Sequence, residues 1–143
     1  MIDDVIVTPL KIIDLQTGDV MRAMRKNDPG FSGYGEAYFS MIKPMAIKAW
    51  KRHTKLTLNI IVPVGEIRFV LFDDRKNSIQ QYQQISLSKK NYCRLTVPPM
   101  IWVGFQGMSS ANSMLLNITD FTHDPNESDR KNIDEILFNW SEY

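Results

Sequence analysis

The chain has 143 residues, of which 43% are apolar and 23% charged, and its formal net charge is +1. That length suits a single domain, residues 1–143, with a sizeable core, and the near-neutral balance excludes a global field that would recruit nucleic acid or an anionic membrane. The lone cysteine, Cys93, excludes an internal disulfide and a cysteine metal cluster.

Short β-rich runs separated by turn residues at intervals of about 8–12 predict an all-β sandwich or barrel. In chain order the expected strands are residues 11–14, 35–42, 47–53, 57–64, 67–73, 82–87, 93–97, 102–107 and 113–118. Turn chemistry lies between them, at Asn27-Asp28-Pro29-Gly30, Lys43-Pro44, Gly65-Glu66, Asp73-Asp74 and Pro98-Pro99. Gly65-Glu66 joins two strongly apolar runs and reads as a hairpin. Two stretches carry helical signals: 17–25, which contains Gly18, and 131–138, where Ile133, Ile136 and Leu137 have helical spacing and Asn132 is placed to cap. Residues 124–130 are a polar loop, and the chain is expected to re-enter at Ile136 to Trp140 as a short helical or irregular tail docked on the barrel. The N-terminal run 5–13 is expected to add a strand to a partner copy. No run of about 18 apolar residues spans a membrane. An acidic start, Met1-Ile2-Asp3-Asp4, with one thiol and eight methionines, suits the cytoplasm.

The most informative stretch is Trp50-Lys51-Arg52-His53. On a strand, Lys51 and His53 project to one face and Arg52 to the other, because side chains alternate. If that face lines a small barrel, an amine and an imidazole share one pocket. The alternative is a solvated basic strand end. Basic residues recur from Lys43 to Lys55 and suit a small anionic ligand.

The run Ile47-Lys48-Ala49-Trp50-Lys51-Arg52-His53, followed by the apolar residues Leu58 to Phe72 and Asp73-Asp74-Arg75, resembles the dTDP-4-dehydrorhamnose 3,5-epimerase family. So do Leu95-Thr96-Val97-Pro98-Pro99-Met100-Ile101-Trp102-Val103-Gly104-Phe105 and Leu115-Leu116-Asn117-Ile118-Thr119-Asp120. The resemblance covers about Gly35 to Pro125 and marks a short, divergent branch. It implies a cupin-type jelly-roll barrel, a homodimer, and action on nucleotide-linked 4-keto-6-deoxy sugars. The family's histidine base falls on Lys51. Its tyrosine acid falls on Phe121 or Thr122, and the histidine of its Pro-Pro turn on Val103.

Epimerising a carbon beside a ketone needs a base, a donor to the enolate oxygen, and an acid on the opposite face. Lys51 and His53 are the candidate acid/base pair, one as base and the other polarising the keto oxygen. Tyr38 is a conceivable replacement acid. Lys48, Arg68 and Arg25 are candidates for phosphate, and Trp102 or Trp50 for stacking. Arg68 reads equally as a solvated strand residue, and Trp102 as core. Asn59 and Asn117 sit inside apolar strands, where an amide needs either a ligand hydroxyl or a backbone partner. The cupin metal positions hold Lys51, His53, Leu58 (or Asn59) and Val103, so neither a metal nor another cofactor is expected.

The function expected is therefore a metal-free epimerase or keto-isomerase of a nucleotide deoxysugar, in cell-surface polysaccharide synthesis. The alternative is a non-catalytic cupin that binds a sugar nucleotide or a partner protein.

Overall fold

A computed structural model describes residues 1–142. Its strands are β1 (Ile6–Pro9), β2 (Ile12–Ile13), β3 (Val20–Met21), β4 (Glu36–Ile42), β5 (Ile47–His53), β6 (Leu58–Val64), β7 (Glu66–Asp73), β8 (Gln81–Ser88), β9 (Cys93–Val97), β10 (Trp102–Gly107), β11 (Ser113–Thr119) and β12 (Ser128–Arg130). They build two five-stranded sheets, ordered β1-β9-β6-β11-β4 and β12-β5-β10-β7-β8, with β2-β3 as a small separate ribbon. Every pairing is antiparallel. From β4 onward the chain crosses repeatedly between the sheets, which is the jelly-roll path.

The sequence pattern explains which strands go where. Strand β11 alternates strictly between buried and half-buried positions, as expected of a strand with one face on the core. Strand β7 is buried almost continuously from Ile67 to Leu71. Its inner face meets the core and its outer face is covered as well. Between the sheets lie Ile42, Leu58, Ile60, Val62, Ile67, Phe69, Leu71, Leu95, Val97 and Leu115. Outside the second sheet, Trp50, Val70 and Trp102 form another apolar cluster with Ile136 and Trp140 of the C-terminal segment.

That segment docks where the sequence placed it, but it is not helical. Residues 131–138 form turns and extended chain. Its apolar side chains are held by tertiary contacts: Trp140 packs against Trp50 with centroids 5.5 Å apart, and edge-on against Phe138 at 4.9 Å. Gly104 makes the approach possible, since a Cβ there would lie 2.9 Å from the Trp140 ring. The stretch 17–25 is not helical either. Gly18 has φ +132° and Val20–Met21 pairs with Ile12–Ile13.

Three further expectations are corrected. Gly65-Glu66 is not a hairpin: it turns the chain from β6 of one sheet to β7 of the other, and each of these strands pairs with other neighbours. Residues 124–130 are not merely a solvated loop: Ser128–Arg130 forms β12, pairing with β5 so that Ser128 faces His53 and Arg130 faces Lys51. The N-terminal run does not wait for a partner copy. Ile6–Pro9 pairs with β9 of its own chain, from Ile6 with Thr96 to Pro9 with Cys93.

Arg68 clamps the tail. Its buried guanidinium donates to Gln106 Oε1 at 2.6 Å, to the Trp140 carbonyl at 2.5 Å and to the Glu142 carbonyl. Arg68→Met removes charge-assisted hydrogen bonds of this kind and is expected to cost about 2–3 kcal/mol. Urea unfolding should show a lower midpoint, and carboxypeptidase should trim the variant faster than the parent.

Candidate active site

A cavity of about 390 Å³ opens between the two sheets. One wall carries Tyr38 and Ser40 of β4, Leu58 and Ile60 of β6, and Leu115 and Asn117 of β11. The facing wall carries Lys48, Ala49, Trp50, Lys51 and His53 of β5, Val103 and Phe105 of β10, and Arg130 of β12.

Strand β5 supplies most of the chemistry. Lys51 and His53 reach the cavity together, as period-two alternation requires. Arg52 points away, to Asp129 at 2.7 Å and Asp74 at 3.4 Å, with its guanidinium over the Trp102 ring. Lys48 is an odd number of residues from Lys51 and on a regular strand would face outward. A bulge reverses it: Val103 pairs with Lys51 but Phe105 pairs with Lys48, so β5 spends one more residue than β10 over this step. The extra residue puts Lys48 and Lys51 on the same lining.

His53 is oriented by a residue far away in sequence. Its Nδ1 lies 2.6 Å from Glu127 Oε1. The other carboxylate oxygen, Oε2, accepts backbone N–H bonds from Thr54, Lys55 and Leu56 at 2.9–3.0 Å. With the carboxylate on Nδ1, that nitrogen carries the proton and Nε2 keeps its lone pair. Burial pushes the His53 pKa below its ordinary value, and the Glu127 bond offsets only part of this. For Glu127, burial pushes upward, but hydrogen bonds from His53, Lys55 and Leu56 together hold the carboxyl below the usual range. The pair is therefore a neutral imidazole on an ionised carboxylate near neutral pH.

Burial is also the main reason that the Lys51 ammonium titrates below the usual lysine range, with nearby Arg130 adding to the effect and Glu127 opposing it. Among the described residues, Lys48, Lys51 and Arg130 have no acidic partner within 4 Å. The Lys48 ammonium donates to the Met41 carbonyl at 2.8 Å and lies over Phe105. The cavity thus holds a cluster of cations beside one neutral base, which suits an anionic ligand.

The sequence-derived candidates divide cleanly. Lys48, Lys51, His53, Tyr38 and Asn117 line one cavity. Asn59, Arg68 and Trp102 do not. Asn59 is buried on the opposite face of β6, donating to the Gly30 carbonyl at 3.0 Å and accepting from Thr96 Oγ1 at 2.6 Å. Arg68 holds the tail. Trp102 lies on the outer face, with its indole N–H on Asp74 Oδ2 at 3.1 Å and the cations of Arg52 and Lys131 against its ring. Arg25 is bound to Asp28 on the surface. Two residues of the site were missed: Arg130, which lines the cavity, and Glu127, which stands behind His53. Both lie in a run of polar residues typical of a solvated loop, and only the pairing of β12 with β5 brings them inward. Among the described residues no three His, Cys, Asp or Glu side chains converge as a metal would need.

No protein-family model matches the chain. It is 27% identical over 141 residues to the probable low-salt glycan biosynthesis epimerase Agl13 of Haloferax volcanii, covering 92% of this chain and 87% of that protein. It is 26% identical over 147 residues to the spore coat polysaccharide biosynthesis protein SpsL of Bacillus subtilis, covering 99% and 97%. Among solved structures, a dTDP sugar isomerase from Desulfovibrio desulfuricans matches with a TM-score of 0.93 and 35% identity, over 97% of this chain and 92% of that one. A dTDP-4-dehydrorhamnose 3,5-epimerase from Elizabethkingia anophelis has the same fold, with a TM-score of 0.82 at 12% identity, over 99% and 83%. The jelly roll, the cavity on its β5 wall and a relative of this identity over nearly the whole chain agree: the protein belongs to the family of dTDP-4-dehydrorhamnose 3,5-epimerases and related dTDP-sugar isomerases.

Proposed function

We propose that the protein moves a proton beside the 4-keto group of a nucleotide-linked 4-keto-6-deoxy sugar, giving epimerisation or keto isomerisation in the synthesis of a surface polysaccharide. The observation that carries this reading is the His53–Glu127 pair opening onto a cavity that also holds an unpaired lysine. In it, His53 Nε2 takes the proton from the carbon next to the ketone. The electron pair moves into the carbonyl, and the Lys51 ammonium stabilises the oxyanion that forms. Glu127 stabilises the imidazolium and fixes its tautomer. Lys48 and Arg130 supply charge for the diphosphate.

Assigning the base to His53 rather than Lys51 follows from their surroundings. His53 is held by a carboxylate and kept neutral by burial. Lys51 has no carboxylate in contact, and its lowered pKa makes the ammonium a better hydrogen-bond donor to developing negative charge. The same reading makes the protein a cytoplasmic homodimer. Its support is an edge strand, β4, whose outer face exposes Phe39 and Met41.

With dTDP-4-keto-6-deoxyglucose in deuterated water, the protein should introduce deuterium at C3 or C5, read by NMR. No exchange with this or any other 4-keto-6-deoxy nucleotide sugar would count decisively against proton transfer. His53→Asn and Lys51→Met should each lower kcat by about 10²–10⁴-fold. Both should retain dTDP binding by calorimetry.

The pH dependence follows from the two directions of shift. Activity needs neutral His53, so it falls as pH drops through the His53 pKa, below the ordinary histidine value of about 6.5. It also needs the Lys51 ammonium, so it falls as pH rises through a pKa below the ordinary lysine value of 10.5. A plot of kcat/KM against pH should be bell-shaped, with both limbs displaced toward acid relative to free histidine and lysine. Lys51→Arg should move the alkaline limb upward if it retains activity.

A further inference from the structure

The family's acid position is empty of chemistry here. Phe121 stands after Asp120, its ring largely exposed, and it does not line the cavity. A base on one wall gives no inversion unless a donor stands on the other. The first sheet offers one hydroxyl with the right connections. Tyr38 of β4 lines the cavity, and its Oη accepts a hydrogen bond from Asn117 Nδ2 at 2.9 Å. An accepted N–H occupies a lone pair and leaves the phenolic proton free to be donated elsewhere. Asn117 is itself buried at 4% exposure, and its Oδ1 has no hydrogen-bond partner. A buried amide oxygen left in this state is costly unless a ligand donor meets it.

We propose that Tyr38 is the proton donor that acts from the wall opposite His53, and that Asn117 is the residue that orients it while accepting a hydroxyl of the sugar. The inference rests on the proton-transfer reading above. His53 removes the C–H proton and the electron pair forms the enolate. As the carbonyl re-forms, that pair takes the phenolic proton of Tyr38 at the same carbon from the other face. The His53 imidazolium then releases its proton to solvent and the phenolate takes one back from solvent, so protons balance and no oxidant or reductant is needed. Because His53 and Tyr38 sit on different sheets, the step inverts the carbon. The structure thus assigns epimerisation, rather than a keto shift served by a single face. Burial keeps the Tyr38 hydroxyl protonated above the ordinary tyrosine range, with Glu36 adding to the effect and Asn117 opposing it, so the phenol is available as a donor across the working pH.

Two variants test this, with deuterium wash-in and product formation measured together on dTDP-4-keto-6-deoxyglucose in deuterated water. Tyr38→Phe keeps the ring on a half-open edge strand and removes only the hydroxyl. Net inversion should fall by roughly 100-fold or more, while His53 still exchanges the substrate proton. Asn117→Asp replaces the donor to Tyr38 by an acceptor, so the phenol turns its proton toward the carboxylate. It should likewise lower inversion far more than exchange, and Asn117→Gln should not reproduce the Asp effect in that ratio. A purely structural role would lower exchange and inversion in parallel, and that result overturns the assignment. Turnover of Tyr38→Phe at the parent rate also overturns it while leaving the His53 reading intact. Absence of exchange in the unmodified protein removes both.

Discussion

The Glu127 carboxylate is the interaction on which the rest of the site depends. One of its oxygens holds His53 Nδ1, and the other gathers the N–H groups of Thr54, Lys55 and Leu56, where the chain leaves β5 for β6. The carboxylate therefore does structural and chemical work through the same atoms. It accepts from the backbone donors of this turn, among them the N–H of buried Leu56, and it sets the tautomer of the imidazole. It also fixes the start of β12 against the end of β5. The Thr54 hydroxyl reinforces this by donating to the Glu127 carbonyl at 2.6 Å. Once this junction is closed, Arg130 must face Lys51, and the cationic wall of the cavity follows.

The bulge in β5 acts on the same wall from the other end. A regular strand would have sent Lys48 to the outer face. There the cluster of Trp50, Val70, Trp102, Ile136 and Trp140 leaves no room for a desolvated ammonium. The additional residue resolves the conflict and concentrates positive charge in the cavity instead. The two faces of β5 thus have different tasks, with an apolar outer cluster holding the C-terminal segment and a charged inner lining. The outer cluster supports the inner one. Arg68, Gln106 and the tail carbonyls lock β7 and β10, the strands whose inner residues Phe69, Leu71 and Val103 pack into the core beside the cavity.

In the proposed mechanism, lysine at the position where the sequence resemblance places the family's histidine base changes the division of labour. A second histidine two residues on faces the same cavity, and it has the carboxylate partner that a base requires. In the same proposal the lysine, while protonated, contributes positive charge where the enolate oxygen forms. Placing Tyr38 and Asn117 on the facing sheet completes a site whose polar groups converge from two sheets, so its geometry is set by sheet packing and not by any one loop.

The residues by themselves determined the strand pattern, the turn at Gly65 (though not that it joins strands of different sheets), the shared face of Lys51 and His53, and the family. All of these are local or periodic properties, written in alternation, turn chemistry and short motifs. The strands over 47–53, 93–97 and 102–107 agree with the structure at both ends. What only the tertiary structure decided is pairing at long separation. Glu127 meets His53 across 74 residues, and Asn117 meets Tyr38 across 79. The same is true in reverse for Asn59, Arg68 and Trp102. As buried polar or aromatic strand residues they fit a ligand site, yet Gly30 and Thr96, the C-terminal carbonyls, and Asp74 satisfy them outside the cavity. The helical spacing in 131–138 failed for a related reason. Its apolar side chains find partners on a sheet whose outer face was already apolar, and burying Ile136 and Trp140 there outweighs the local preference for a helix. Periodicity tells which side chains share a face; only the packed sheets tell what that face meets.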